Sequence, residues 1–243
     1  METVDPELVR TMPLHAITEL HGEAGLRRRF ELEIDGLPRA DRAVLTDALA
    51  LADEPHRDDR RSREPYVNHL LRSAIRVLAY YRVDDVDVVA ATLLHDSVED
   101  HAAELTGRPG SGTDATAEDT RAALVALADR FNPRVASLVG AVTNPPPEPG
   151  VNRHEQYRAH VAESLAAHPW ARVIKASDFT DNGVGLIYTT AERQVPLANK
   201  YRPLVPVLRE LIARPDTPLD DEVKVHIQEQ LDLAEARFAA ILD

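Results

Sequence analysis

The sequence predicts a nearly all-α protein. Apolar residues recur at spacings of three and four residues in most long segments, which is the period of one face of a helix. Strict alternation of apolar and polar residues, the pattern of a half-buried strand, is rare. The segment "NPPPEPGVN" at 144–152 cannot be helical, because proline removes backbone donors and restricts its neighbours. We therefore expect helices joined by loops, and we find no internal repeat.

The helix boundaries follow from periodicity and from start signals. The segment at 64–81 has Pro65 near its first turn, a common helix start, and keeps Leu70 and Ala74 on one face. The segment at 85–100 begins with acids that complement the helix dipole. The predicted helices cover residues 40–52, 64–81, 85–100, 117–130, 133–143, 154–168, 170–188, 197–213 and 221–243.

Two segments lack a clear helical pattern. Residues 101–116, "HAAELTGRPGSGTDAT", are predicted to form a long flexible loop, because Gly, Pro, Ser and Thr dominate them. In the first 38 residues, "LRRRFELEI" at 26–34 is compatible with a strand, an arm or a helix. We divide the chain into an N-terminal extension or arm at 1–38 and one main domain at 39–243.

Composition excludes several classes of function. With 243 residues and 44% hydrophobic content, the chain can bury a substantial core and fold alone. A formal net charge of −13 argues against a nucleic-acid partner, and an anionic substrate would need a local basic pocket. The chain has no cysteine, so any metal must be held by histidine and carboxylate side chains.

No targeting or membrane signal is visible. The N-terminus, "METVDPELVR", lacks both a basic start and an apolar core. No apolar run approaches the roughly 20 residues that a membrane span needs. We expect a soluble, cytoplasmic protein with no membrane partner. The sequence leaves the oligomeric state open, and a homo-oligomer is compatible with it.

Four candidate metal ligands stand in three separate pieces of the chain. His69 lies on the inner face of its predicted helix, His95 and Asp96 adjoin at the end of an apolar run, and Asp178 follows Val173 and Ile174. Imidazole nitrogen and carboxylate oxygen suit borderline divalent ions. Each residue alone has an ordinary structural explanation. The combination predicts a metal site, because burying an acid without a cation or donors costs several kcal/mol.

Two further acids follow the His-Asp pair. On a continuous helix, Glu99 would share a face with His95, and Asp100 would share one with Asp96. Acids in that position could orient or deprotonate a water activated by the ion. The alternative is that both are solvated surface acids.

These residues stand in three blocks that resemble the signature of the alarmone hydrolases. This group of HD-domain metal-dependent phosphohydrolases includes the hydrolase half of Rel/Spo proteins and the stand-alone small alarmone hydrolases. The resemblance covers roughly residues 40–210 and implies an HD-domain helical bundle, with 39–243 as an HD-type hydrolase domain. The blocks are "RRSREPYVNH" (60–69), "LLHDSVED" (93–100) and "VIKASDFTDN" (173–182).

The resemblance implies a role for each matching residue. Arg60 falls where the family stacks an arginine on the purine base, which a planar guanidinium can do. Arg61 and Asn182 fall at positions that help hold the nucleotide. Two acids, Glu99 and Asp100, would serve the attacking water. The ligands of one metal ion, usually Mn²⁺ and otherwise Fe²⁺ or Zn²⁺, would be His69, His95, Asp96 and Asp178.

Three positions depart from the family pattern. Arg63 replaces a glycine, Phe179 a basic residue and Val184 an arginine. Each of the last two changes removes an expected phosphate contact worth roughly 1.5–3 kcal/mol. We expect other basic residues to compensate, and we assign Lys175 to substrate binding. Further candidates are Arg63, Lys200 and Arg202.

The predicted function is removal of the 3′-pyrophosphate from guanosine tetraphosphate, guanosine pentaphosphate or a related purine alarmone. The partner would be a small purine nucleotide. One alternative is another HD-type nucleotide phosphatase, such as a nucleotidase or a nicotinamide dinucleotide phosphate phosphatase. A second is a catalytically silent nucleotide-binding sensor. We further hypothesise that the loop at 101–116 forms a lid, since glycine-rich loops beside an active site often gate access.

Overall fold

The computed structural model describes residues 5–108, 115–148 and 150–243, and it confirms the all-α class. This part of the chain contains thirteen α-helices and one very short hairpin. The helices are α1 (Pro6–Thr11), α2 (Leu14–Ile34), α3 (Arg39–Asp53), α4 (Val67–Ile75), α5 (Val86–Leu93), α6 (Ser97–Leu105), α7 (Ala117–Arg130), α8 (Pro133–Val142), α9 (Arg153–Ala167), α10 (Pro169–Phe179), α11 (Ala191–Tyr201), α12 (Val205–Ala213) and α13 (Asp221–Leu242).

Several segments continue these helices with a different pitch. A π-helical turn, Arg76–Tyr80, follows α4. A second π turn, Thr180–Val184, and a 3₁₀ turn, Gly185–Tyr188, follow α10. A further 3₁₀ turn, Arg202–Leu204, joins α11 to α12. None of the described helices combines the length and the apolar character that crossing a membrane requires.

The hairpin pairs β1 (Arg60–Arg61) with β2 (Glu64–Pro65) in antiparallel register, with Arg60 opposite Pro65 and Arg61 opposite Glu64. Because Glu64 and Pro65 belong to this hairpin, α4 begins at Val67 and not at 64 as predicted. The hairpin thereby presents the basic block of the sequence directly before the helix that carries His69.

Local capping explains where many helices begin. Thr116 and Asp119 form a reciprocal capping box at the start of α7, which satisfies backbone donors that have no partner within the helix. Asn132 accepts from two backbone amides at the start of α8, and Pro133 occupies its first turn. The predicted helices at 117–130 and 133–143 are accordingly confirmed to within one residue.

Two predicted helices are interrupted. The segment 85–100 is broken by a turn at 94–96, between α5 and α6. The segment 197–213 is divided by the 3₁₀ turn that contains Pro203, a residue without a backbone donor. The predicted loop at 101–116 was wrong over 101–105, which belong to α6. The lid hypothesis falls largely on residues 109–114, which lie outside the described residues.

The N-terminal segment is helical. Of the strand, arm and helix alternatives for 26–34, the structure shows a helix within α2. Gly22 bends α2 at φ 60° and ψ −150°, a backbone conformation that side chains disfavour. Leu26 and Phe30 are buried, and α2 packs against α4. The division at residues 38 and 39 stays a prediction.

The apolar core fixes the position of α10, which carries part of the site. α10 packs against α4, α5, α8 and α12, and its Val173 and Ile174 are fully buried. The π turn that follows α10 packs against α13. Long apolar stripes thus fix the end of α10, where the polar residues of "KASDFTDN" begin.

Helix α13 offers a matched test of this packing. Leu231 is 2% exposed and Leu233 is 40% exposed. Leu231→Ala should lower the free energy of unfolding by about 2–5 kcal/mol, because it leaves a cavity in the core. Leu233→Ala should change it by less than about 0.5 kcal/mol. Urea denaturation of both variants measures the difference, and equal effects would contradict the packing of α13.

Candidate metal centre

Three separate elements bring the predicted ligands together. His69 lies in the first turn of α4, Asp178 near the end of α10, and His95 and Asp96 in the turn between α5 and α6. His95 Nδ1 lies 2.8 Å from the carbonyl oxygen of Thr92, one of the carbonyls that the end of α5 leaves without a helical partner. The His95 ring therefore helps to end α5 while its other nitrogen faces the cluster.

One ligand atom from each of His69, His95 and Asp178 lies within 4.8 Å of the others, and Asp96 approaches the two histidines. His69 Nε2 lies 3.2 Å from His95 Nε2. Asp96 Oδ2 lies 3.4 Å from His69 Nε2 and 3.1 Å from His95 Nε2. Asp178 Oδ1 lies 3.4 and 3.6 Å from the same two nitrogens. Ligand atoms that share one divalent ion at usual bond lengths stand about 2.8–3.6 Å apart, so the residues present fit a divalent cation.

The protonation of the two imidazoles supports this fit. A carbonyl oxygen cannot donate, so His95 Nδ1 carries the proton of its bond to Thr92. His69 Nδ1 likewise donates to Asp181 Oδ2 at 2.8 Å. Without a cation, burial opposes protonation of both rings, but the neighbouring carboxylates outweigh it and raise the pKa of His69 and, to well above its usual value, that of His95. A divalent cation would take the place of the Nε2 protons between the two facing nitrogens, while each Nδ1 keeps its own partner, which is the usual arrangement of metal-binding histidines.

Both carboxylates of the cluster are ionised. Burial opposes ionisation of Asp178, but Lys175 and the two imidazoles outweigh it and hold its pKa well below the usual range. Burial likewise opposes ionisation of Asp96, and His95 and His69 hold its pKa well below the usual range. Tyr66 also donates to Asp96 Oδ2 at 2.6 Å. These carboxylates therefore present oxygen lone pairs to the cluster.

Asp181 is the most important residue that the sequence analysis missed. Its buried carboxylate accepts from Arg72 Nε at 2.8 Å and from His69 Nδ1 at 2.8 Å. Burial opposes its ionisation, but Arg72 outweighs it and keeps the pKa of Asp181 well below the usual range. Asp181 thus orients His69 and is not itself one of the predicted ligands. The three-residue spacing from Asp178 to Asp181, which places them on one helical face, is the signal that could have identified it.

The two predicted water-handling acids occupy different environments. Because the turn at 94–96 interrupts the helix, the inference that Glu99 shares a helical face with His95 was wrong. Glu99 is half-buried and accepts from the Asn144 side chain at 2.8 and 3.0 Å. Burial and the nearby charge of Asp96 raise the pKa of Glu99. Asp100 is exposed, with Oδ2 3.7 Å from His56 Nε2.

One pocket of 640 Å³ adjoins the cluster and contains the other predicted residues. Glu99 and Asp100, the two acids predicted to handle water, line it, together with the predicted ligands Asp96 and Asp178. All four residues predicted to bind substrate line it as well: Arg60, Arg61, Lys175 and Asn182.

Helix α2 forms one wall of this pocket. His15, Thr18 and Gly22 of α2 line it, facing the turns that follow α10. The His15 ring stacks on Tyr188 at 4.1 Å between centroids. Burial lowers the pKa of His15 to about 4, so this imidazole is neutral at neutral pH. The segment predicted as an extension therefore contributes to the pocket.

The basic residues of the pocket fall into two groups. Arg61 donates to Asn182 Oδ1, and Lys175 Nζ donates to Asp178 Oδ2 at 2.7 Å. These two cations therefore already have hydrogen-bond partners within the protein. Lys200 stands 5.1 Å from the centroid of the Tyr157 ring. Within the described residues, four pocket cations have no carboxylate at ion-pair distance: Arg60, Arg63, Arg193 and Lys200.

The departures from the family pattern have structural consequences of their own. Phe179 is buried and packs edge-to-face on Phe238 and Tyr201, in the core and outside the pocket lining. Val184 is partly buried against the core, and its carbonyl oxygen accepts from Arg237. Arg202, one of the further candidates, pairs with Asp243 and does not line the pocket.

Known proteins confirm the resemblance to alarmone hydrolases at modest identity. The chain is 32% identical over 140 residues to guanosine-3′,5′-bis(diphosphate) 3′-pyrophosphohydrolase MESH1 of Danio rerio, covering 56% of this chain. It is 29% identical over 143 residues to the Drosophila melanogaster protein of the same name, covering 58% of this chain and 68% of that protein. It is 30% identical over 192 residues to guanosine-3′,5′-bis(diphosphate) 3′-pyrophosphohydrolase of Aquifex aeolicus, covering 75% of this chain and 24% of that protein.

The match spans 65% of the Danio rerio relative, slightly less than two thirds of its length. No family model matches the chain.

Removal of one imidazole should abolish binding at this centre. His95→Ala should lose one equivalent of bound Mn²⁺, because a site of nitrogen and oxygen donors depends on each ligand. Isothermal titration calorimetry on the metal-free protein measures the stoichiometry. His154→Ala removes an exposed histidine outside the cluster and should leave Mn²⁺ binding unchanged. Full Mn²⁺ stoichiometry in His95→Ala would exclude His95 as a ligand.

Proposed function

We propose that this chain is a metal-dependent phosphohydrolase that removes the 3′-pyrophosphate from guanosine tetraphosphate, guanosine pentaphosphate or a related purine alarmone. One observation carries the proposal: a cluster suited to a divalent cation adjoins a pocket with four cations that have no carboxylate partner within the described residues. In a chain of net charge −13, such a pocket favours a small ligand with several phosphates. The names of the relatives support a guanosine 3′-pyrophosphate.

The proposed metal is Mn²⁺, and Fe²⁺ or Zn²⁺ suits the same donors. Its proposed ligands are His69, His95, Asp96 and Asp178. A divalent cation held there would supply Lewis-acid stabilisation of phosphate charge and would lower the pKa of water.

Glu99 is the proposed acceptor of the proton from the attacking water. Its raised pKa suits this task, because a carboxyl that binds a proton more readily is a better base near neutral pH. The bond that breaks joins phosphorus to ribose O3′. The water oxygen goes to the departing pyrophosphate, and O3′ takes up a proton. Asp100, exposed at the pocket, would hydrogen-bond the water and its surroundings.

The proposed nucleotide contacts follow the two groups of basic residues. Arg60 would stack on the purine base, and Arg61 and Asn182 would hold the nucleotide. Lys175 is already paired with Asp178, and it would also contact the phosphate nearest the metal. The phosphates further out would meet the cations without carboxylate partners, namely Arg63, Arg193 and Lys200.

The proposal includes the setting of the enzyme. Its partner is a small purine nucleotide in the cytoplasm. Nucleic acid is not a proposed partner, because the net negative charge repels a long polyanion. Residues 39–243 are the proposed hydrolase domain and residues 1–38 its extension. The proposed mechanism does not depend on the oligomeric state, and it is compatible with a homo-oligomer.

The identity of the products tests this function directly. The purified chain is incubated with Mn²⁺ and guanosine tetraphosphate, and separately with the adenosine analogue, and anion-exchange chromatography identifies the products. We expect nucleoside diphosphate and pyrophosphate in a one-to-one ratio, and no turnover after chelation of the metal. Release of inorganic phosphate would indicate a different HD-type phosphatase. Binding of nucleotide without any product would indicate a sensor.

The proposed role of Glu99 predicts a pH effect of its neighbour. Glu99 must be ionised to accept a proton, so kcat/KM should fall as the pH drops through its raised pKa. Asn144 donates to Glu99 and favours the ionised form. Asn144→Ala should therefore raise that pKa further and move the acid limb of the kcat/KM profile to higher pH.

Two comparisons make this pH test specific. Glu99→Gln cannot accept the proton and should lose turnover by about 10²–10⁴-fold while it keeps bound Mn²⁺. Asn152→Ala removes an amide that caps α9 and does not contact Glu99, so its acid limb should match that of the wild type. An unchanged limb in Asn144→Ala would show that another group controls the acid side.

A further inference from the structure

A second group of metal-ligand side chains lies outside the centre described above. His56 and Asp59 come from the segment between α3 and β1, and His101 comes from α6. One ligand atom from each lies within 4.8 Å of the others. His101 Nε2 stands 2.7 Å from Asp59 Oδ2. None of the three is needed for the proposed phosphohydrolase reaction.

His56 provides the observation that points to a ligand. The residue is 2% exposed, and its Nδ1 donates to the carbonyl oxygen of Ala52 at 2.7 Å. Nε2 is then the acceptor nitrogen of the neutral ring. That atom is buried, and it has no hydrogen-bond partner among the residues that the structure describes. A buried imidazole acceptor without a partner is costly, and a cation would satisfy it.

The surroundings of His56 favour positive charge. The His101 ring packs edge-on against it, with 4.4 Å between centroids. Asp100 Oδ2 lies 3.7 Å from His56 Nε2, and Glu104 Oε1 lies 3.4 Å from His101 Nδ1. Within the described ranges, no lysine or arginine pairs with Asp59, Asp100 or Glu104. His56 and His101 thus lie among several carboxylates, and no lysine or arginine of the described residues pairs with those carboxylates.

We propose that His56, Asp59 and His101 bind a second divalent cation of the borderline class, for which Zn²⁺ is the natural probe. Two imidazoles and one carboxylate are a common ligand set for Zn²⁺, with a fourth position open to water. Zn²⁺ also binds nitrogen donors more tightly than Mn²⁺ does. The site needs no nucleotide and no turnover, so it stands independently of the proposed function.

Tyr66 separates this second site from the first. Its ring stacks on His56 at 4.6 Å and meets the edge of His69 at 5.8 Å. Its hydroxyl donates to Asp96, and its backbone amide donates to the carbonyl oxygen of Asp59 at 3.2 Å. A cation on His56 and Asp59 would therefore hold Tyr66, and through it Asp96, in position. It would also tie α6 to the segment that leads into the basic hairpin.

Zinc stoichiometry tests the second site in the full-length chain. Metal-free protein is titrated with Zn²⁺ by calorimetry, and the retained metal is counted by elemental analysis after gel filtration. We expect two equivalents for the wild type and one for His95→Ala. Adding Asp59→Asn to His95→Ala should weaken the remaining equivalent by at least about 10-fold. Asp59→Asn keeps the size of a partly exposed side chain, so the fold is preserved.

The neighbouring residue supplies a matched control. Asp58→Asn makes the same charge change at an exposed position outside the cluster, and in the His95→Ala background it should keep the second equivalent. Co²⁺ gives an independent readout, because its visible spectrum reports bound nitrogen ligands and should disappear in His95→Ala with His101→Ala. A single Zn²⁺ equivalent in the wild type that His95→Ala removes would overturn the proposal. A second equivalent that Asp59→Asn and His101→Ala leave unchanged would also overturn it.

Discussion

The site depends on the hydrogen bonds and ion pairs that the buried carboxylate of Asp181 makes. It accepts from Arg72 on α4 at 2.8 and 2.9 Å, and Arg76 stands 3.4 Å away. Loss of one partner from a buried ion pair costs about 3–5 kcal/mol, because the other charge stays behind without compensation. The turn after α10 is therefore held against α4. The orientation of His69 follows, since its Nδ1 donates to the same carboxylate.

This constraint divides the basic residues into two kinds. Arg72 spans Glu64 and Asp181, and its charge is neutralised inside the protein. Lys175 is bound to Asp178 in the same way. A ligand that engages such residues must compete with a partner that is already present. A residue such as Lys200, which lies over an aromatic ring and has no carboxylate partner in the described part of the chain, can meet a phosphate without that competition.

Local patterns predicted the fold class and most helices, because capping and periodicity are local. The acids at the start of the segment 85–100 and the apolar stripes required no knowledge of the rest of the chain. No glycine or proline marks the break at 94–96 in the sequence, and the contact of the His95 ring with the Thr92 carbonyl oxygen there is visible only in the structure. Asp181 was missed because its partner Arg72 is 109 residues away, and the two meet through the packing of α10 and of the π turn after it against α4.

The charge distribution of the chain favours a small anionic ligand over a long polyanion. The chain carries 41 acids against 28 lysines and arginines, so most of its surface repels anions. That repulsion is screened beyond about 8 Å at physiological ionic strength. A long polyanion would lie along the acidic surface and meet this repulsion at many phosphates. The pocket of 640 Å³ is local by comparison, and Arg60 and Lys200 are among its lining cations. Under the proposed function, the net charge disfavours a long polyanion while the pocket cations favour a small phosphorylated ligand.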